Sequence, residues 1–260
     1  MDLSSLERLL WIIHIVLLAL LALRLFWSGL FLRYRWFCFL VVLLAGRNLA
    51  LGMFEANPVV FFYIWLWTEP VVALSYILAI FEIYALALQR YQGLSTFARS
   101  IITVSMVVAS VISVASIFPD LEFNASQDNQ YFLLVNVIRR GLYTSLLGFL
   151  VVLVSLISFF PVRLSRNTIL HIVLFSTWFL FHTASTLAIN FRGKEFVPYV
   201  NVAAGLVAVL TGIAWCLLLT PSGEHVETAV RSRLSDEQAD ILLDKLKSIN
   251  ETLAVSRRRL

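Results

Sequence analysis

Up to Thr220 the chain alternates long apolar runs with short polar breaks, and seven of the runs are long enough to cross a bilayer. A hydrocarbon core of about 30 Å takes roughly 20 helical residues. Lipid offers no partner to a backbone N–H or C=O, so runs of this kind cross as helices. The pattern predicts spans at about residues 9–30, 36–54, 58–88, 98–118, 141–160, 168–189 and 198–220. The fifth carries an extension from Tyr131. The third exceeds an untilted crossing and is interrupted by Thr68, Glu69 and Pro70. Proline is tolerated in a first turn and kinks a helix interior. Either this span starts near Glu69, with Tyr63, Trp65 and Trp67 at the membrane interface, or one long helix bends at Pro70.

After Pro221 the pattern changes. Ser235 with Gln238 three residues on reads as a capping box. Leu242, Leu246, Ile249 and Leu253 then recur at spacings of four, three and four, before Arg257, Arg258 and Arg259. This is an amphipathic stripe of about two heptads, expected to form a helix over residues 235–256. The expected fold is therefore all-α: a seven-transmembrane-helix bundle over residues 1–220, a linker over 221–234, and a cytoplasmic amphipathic or short coiled-coil tail over 235–260. Small residues four apart, Ala204, Ala208 and Gly212 in the last span and Ser105, Ala109 and Ser113 in the fourth, mark close helix packing.

Composition agrees, with 60% hydrophobic residues, 14% charged and a mean hydropathy of +0.87. Seven crossings leave no room for a folded soluble domain between helices. The beginning of the chain holds Asp2 and Glu7 and no basic cluster, so the first span is expected to be retained rather than cleaved. The net charge of +4 lies largely at helix ends and reads as topology, not nucleic-acid binding. Arg24, Arg33, Arg35, Arg90, Arg99, Arg163, Arg166, Arg231 and Arg233 flank one side. Arg8, Arg139, Arg140, Arg192 and Lys194 flank the other. Nine against five predicts a multi-pass plasma-membrane protein with its N-terminus outside and its C-terminus in the cytoplasm.

Few residues offer chemistry. Cys38 and Cys216 form neither a disulfide framework nor a zinc spacing. His171 and His182 share a helix face but stand about 16 Å apart along the axis, too far to hold one metal. A haem between His14 and His182 is geometrically conceivable but is not the expectation, and no cofactor is expected. Lys194, Lys245 and Lys247 lie outside the spans, which removes a retinal Schiff base. No nucleophile–histidine loop and no paired-carboxylate motif is present, so no enzyme is expected. Asn124, Ala125 and Ser126 fit a short glycosylation triplet.

Ionisable groups at membrane depth are costly and face the bundle interior. Arg47 lies nearest the middle and Glu82 in the inner half, so an Arg47–Glu82 ion pair is one expectation, with Arg139–Glu69 its alternative. His14, Glu69, Arg139, Arg140, His182, Asn190 and Asn201 fall toward the outer side. Glu69, Arg140, His182 and Asn201 together suggest an outward ligand pocket.

The runs Glu69-Pro70, Glu82, Tyr91-Gln92-Gly93-Leu94 and residues 160–167 resemble those of uncharacterised bacterial seven-helix proteins. The resemblance implies a bacterial inner membrane and no activity. The expected function is a receptor-like or scaffold protein, with an outward polar site and a tail helix (Leu242, Leu246, Ile249, Leu253) for a second copy or a cytoplasmic partner. The alternative is a small transporter or channel using Arg47 and Glu82, although spans 1–3 and 5–7 show no convincing internal repeat.

Overall fold

The computed structural model describes residues 3–88, 127–159, 164–192 and 194–224. Six long helices account for most of them: α1 (Leu3–Trp27), α2 (Arg35–Met53), α3 (Pro58–Leu88), α4 (Gln127–Phe159), α5 (Arg166–Arg192) and α6 (Val197–Leu218). Each contains a segment long and apolar enough to cross a membrane. The protein is thus an all-α, multi-span membrane protein embedded in a lipid bilayer.

Two expectations are corrected here. Among the described residues the transmembrane count is six, not seven, because six described helices meet the demands of length and apolarity; the expected span over residues 98–118 lies outside them. The coiled-coil tail has no support either. Leu242, Leu246, Ile249 and Leu253 lie outside the described residues, and two heptads are too short to hold a helix pair unaided.

The helices form a closed ring in chain order, each packing on the next and α6 returning to α1. Consecutive helices run antiparallel except α3 and α4. There Tyr76 meets Tyr143 (ring centroids 5.8 Å apart) and Tyr84 meets Phe149 (6.0 Å), so the two run parallel. The near end of the bundle holds the beginnings of α1, α3 and α6 and the α2–α3 turn. The far end holds the α1–α2 turn, the beginning of α5 and the 3-10 turn Pro221–Glu224.

Local chemistry explains the boundaries. Gly29 adopts φ +71°, the left-handed conformation that ends helices, and its N–H returns to the Phe26 carbonyl at 3.2 Å. α3 is one continuous helix from Pro58 to Leu88 with Pro70 inside it, so the span does not begin at Glu69. Pro70 lacks the N–H that would reach the Leu66 carbonyl.

Leu9, Ile13, Val16, Leu20 and Leu23 form the outer face of α1 and are exposed, the expected state for a lipid-facing surface. Lipid gives no hydrophobic drive between helices, so α1 and α6 meet through small residues. A Cβ at Gly205 would stand 3.0 Å from Leu10, and one at Gly212 3.4 Å from Leu17. Ser105, Ala109 and Ser113 lie outside the described residues. The core inside the ring is aromatic and aliphatic, with Phe37, Leu40, Ile80, Phe149, Phe175 and Phe179 buried.

Candidate functional site

The ring encloses a cavity of about 660 Å³ that opens at the near end. All six helices contribute, each through one stripe at helical spacing. α1 supplies Glu7, Trp11 and His14; α2 supplies Leu44, Arg47, Asn48 and Leu51; α6 supplies Asn201, Gly205 and Ala208. Pairs four residues apart complete the wall: Val72 and Tyr76 on α3, Arg139 and Tyr143 on α4, Trp178 and His182 on α5. The volume lies within the roughly 300–1,000 Å³ range of small-molecule sites.

Its charges are arranged at two depths. At the mouth Arg8 donates to Glu55 at 3.0 Å, an exposed pair of little energetic weight. Deeper, the Arg47 guanidinium donates to Glu69 at 2.5 Å, with side chains only 10% and 9% exposed. Burial of both partners makes loss of either one costly.

Several buried polar atoms of residues lining the cavity have no protein partner: His14 Nδ1, Arg47 Nε and His182 Nε2. The Trp178 indole N–H lies near the Tyr76 hydroxyl without hydrogen-bond geometry. Each such atom costs about 1–3 kcal/mol if left dry. His182 is held between Trp178 and Tyr143, at centroid distances of 4.4 and 5.0 Å.

His14, Leu44, Tyr76 and Trp178 form the floor, and the same residues roof a second void of about 30 Å³. That space holds about one water. Below it Phe37, Phe175 and Trp215 close the bundle, with centroids 5.2–5.9 Å apart. His171 is fully buried against Tyr34 and Phe37, and neither of its ring nitrogens has a partner.

The far end is held by a network around Glu224. Its carboxylate accepts from Tyr34 at 2.6 Å and Asn167 at 2.5 Å, and pairs with Arg33 at 2.5 Å. Asn167 also donates to the Thr220 carbonyl at 2.7 Å. Arg24 and Arg166 donate to the carbonyls of Leu219 and Leu218 at the open end of α6. A Cβ on Gly223 would overlap the Asn167 amide, so a larger residue there would push Asn167 out of its place in the network. Burial, then the hydrogen bond and charge of Glu224, raises the Tyr34 pKa well above the usual tyrosine value and keeps its hydroxyl a donor.

The expected site residues divide accordingly. His182 and Asn201 line the cavity, and Glu69 stands behind it through Arg47. Arg139, not Arg140, faces the cavity; Arg140 is half-buried, and its carbonyl accepts from Thr144. The Arg47–Glu82 pair does not form, because Glu69 takes Arg47. Glu82 instead accepts the backbone N–H groups of Trp36 and Phe37 at 3.1 Å, capping α2, which has no side-chain cap of its own. Tyr76, Tyr143, Trp178 and the Glu224 network were not singled out as a site, and His14 was considered only as a haem ligand and an outer-side polar residue. For the cavity residues a signal was available, since polar residues on several spans recur at three- and four-residue spacing.

Among the described residues no group of three His, Cys, Asp or Glu side chains could hold a metal ion. His14 and His182 border the same cavity, with the His14 ring beside the Ala208 backbone. The chain matches no protein-family model, and neither a curated protein nor a solved structure is significantly similar to it. The resemblance to bacterial seven-helix proteins is corrected on both counts: no family is matched, and the described spans number six.

Proposed function

We propose that this protein is a non-enzymatic transporter of a small solute, with the near-end cavity as its binding site and the Glu224 network as its far-end gate. The observation that carries this reading is the stacking of three features along one axis. A polar cavity descends to a floor at His14 and Tyr76, a second void continues beneath it, and a side-chain lock closes the far end. A lock built of hydrogen bonds and an ion pair at the membrane surface can exchange its partners for water, and the Phe37, Phe175 and Trp215 rings between the second void and the lock must move apart for a path to open. Orientation follows from charge: Arg24, Arg33, Arg35 and Arg166 cluster at the far end, which argues that this end faces the cytoplasm of a plasma membrane.

The receptor-like reading uses the same cavity and differs in one respect, that the floor never opens to the far side. Accessibility separates the two without knowledge of the solute. Ala208 lines the cavity and is buried. In a protein with Cys38 and Cys216 replaced by alanine, Ala208→Cys is exposed to a membrane-impermeant maleimide in vesicles of each orientation. The transporter reading expects labelling from both sides, faster from the near end. Labelling from the near end alone would remove transport and leave a receptor-like cavity.

A further inference from the structure

The chemistry of the cavity wall narrows what it takes, and this step rests on the reading of the cavity as a solute site. Of the three arginines on the wall, Arg8 is neutralised by Glu55 and Arg47 by Glu69. Arg139 has no carboxylate partner among the described residues. Its guanidinium cannot lose its proton, so it presents a permanent charge to the cavity. The wall's one carboxylate outside an ion pair, Glu7, lies about 10 Å nearer the mouth than His14.

The unpartnered atoms have a direction too. Arg47 Nε and Trp178 Nε1 can only donate hydrogen bonds, and both are buried without an acceptor. Both are closed off from the cavity in this structure, and any group that came to satisfy them would have to be an acceptor. Around them stand flat rings, Tyr143 and Trp178, both packed on His182.

We propose that the cavity selects molecules with an anionic head on an apolar, flat body, and that Arg139 reads the head. An oxyanion such as a carboxylate meets Arg139, while the body lies against Tyr143 and Trp178. A cation is disfavoured by Arg139, and a neutral isostere loses its charge-assisted bonds.

The test uses the full chain in phosphatidylcholine nanodiscs, with calorimetric titration of benzoate, benzamide and benzylammonium. Benzoate is expected to bind about tenfold or more tighter than benzamide. Arg139→Gln should bring that ratio close to one, and Arg139→Lys should retain most of it, with both variants keeping the wild-type thermal midpoint. Equal affinities, a preference for benzylammonium, no benzoate binding, or a ratio unchanged in Arg139→Gln overturns the proposal. Repeating the titration with phosphatidylglycerol identifies the source of the anion. Suppression of benzoate binding that depends on Arg139 assigns the site to a lipid head group, and undiminished binding assigns it to a soluble solute. Charge-selective binding without far-side labelling of Ala208→Cys would leave this inference standing and remove transport, and the converse result would remove this inference alone.

Discussion

The two ends of the bundle use the same residue types to opposite effect. At the far end Tyr34, Asn167 and Arg33 converge on the Glu224 carboxylate, whose Oε1 accepts both hydrogen bonds while Oε2 makes the ion pair with Arg33 alone. At the near end Arg139, His14, His182 and Arg47 line an open cavity, and His14 Nδ1, His182 Nε2 and Arg47 Nε lie buried without a protein partner. Polar side chains inside a membrane protein are expensive wherever they lie. What they are for is told by whether protein or cavity answers them. The far end is therefore read as a closure, and the near end as a site.

The largest effect expected is at the deep Arg47–Glu69 ion pair beside the cavity. Arg47→Ala leaves Glu69 buried and alone, a loss of about 3–5 kcal/mol. Thermal unfolding in nanodiscs should show a sharply lowered midpoint. A silent substitution would mean that solvent from the cavity already screens the pair, and the depth argument would fail. A smaller effect tests the contrast between ends through one residue type. Asn167→Ala removes donors to Thr220 and Glu224 and should cost about 1–3 kcal/mol. Asn48→Ala and Asn201→Ala, on the cavity wall, should stay within about 0.5 kcal/mol. Equal losses at the three asparagines would erase the distinction between closure and site.

The smallest effect concerns the seam between α1 and α6. Gly212→Ala meets only ordinary contact with Leu17 and should gain up to about 1 kcal/mol of helix propensity. Gly205→Ala presses on Leu10 at 3.0 Å, and overpacking of this kind offsets the gain. Paired midpoints of the two variants check this, and a stabilised Gly205→Ala would show that the seam is looser near the cavity.

Much of the fold was legible because an apolar run of sufficient length has one fate in lipid. The bounds moved where polar residues hid a helix. α1 begins at Leu3 because Ser4, Glu7 and Arg8 lie on the cavity stripe and need no apolar surroundings. The partner of Arg47 was open to a better argument than depth counted helix by helix. In a hairpin, residues meet according to their distance from the shared turn. Arg47 lies about 9 Å below the α2–α3 turn, Glu69 about 16 Å and Glu82 about 36 Å. A long arginine reaches the second and not the third. Arg139 and Arg140 differ by about 100° around the helix axis, which an argument from depth alone does not resolve. The Glu224 network was beyond reach, because it joins residues 190 positions apart through a turn with no periodic signal.

The most direct test holds the far end shut and watches the floor. Arg33→Cys and Glu224→Cys stand where the ion pair does, and oxidation or a short bifunctional reagent staples them. In the alanine background with Ala208→Cys protected during stapling, labelling of position 208 is then followed from each side. The account predicts that the staple abolishes labelling from the far side, leaves labelling from the near side intact, and that reduction restores both. Far-side labelling that persists through the staple would contradict it, because the route to the cavity floor would then bypass the closure assigned to Glu224.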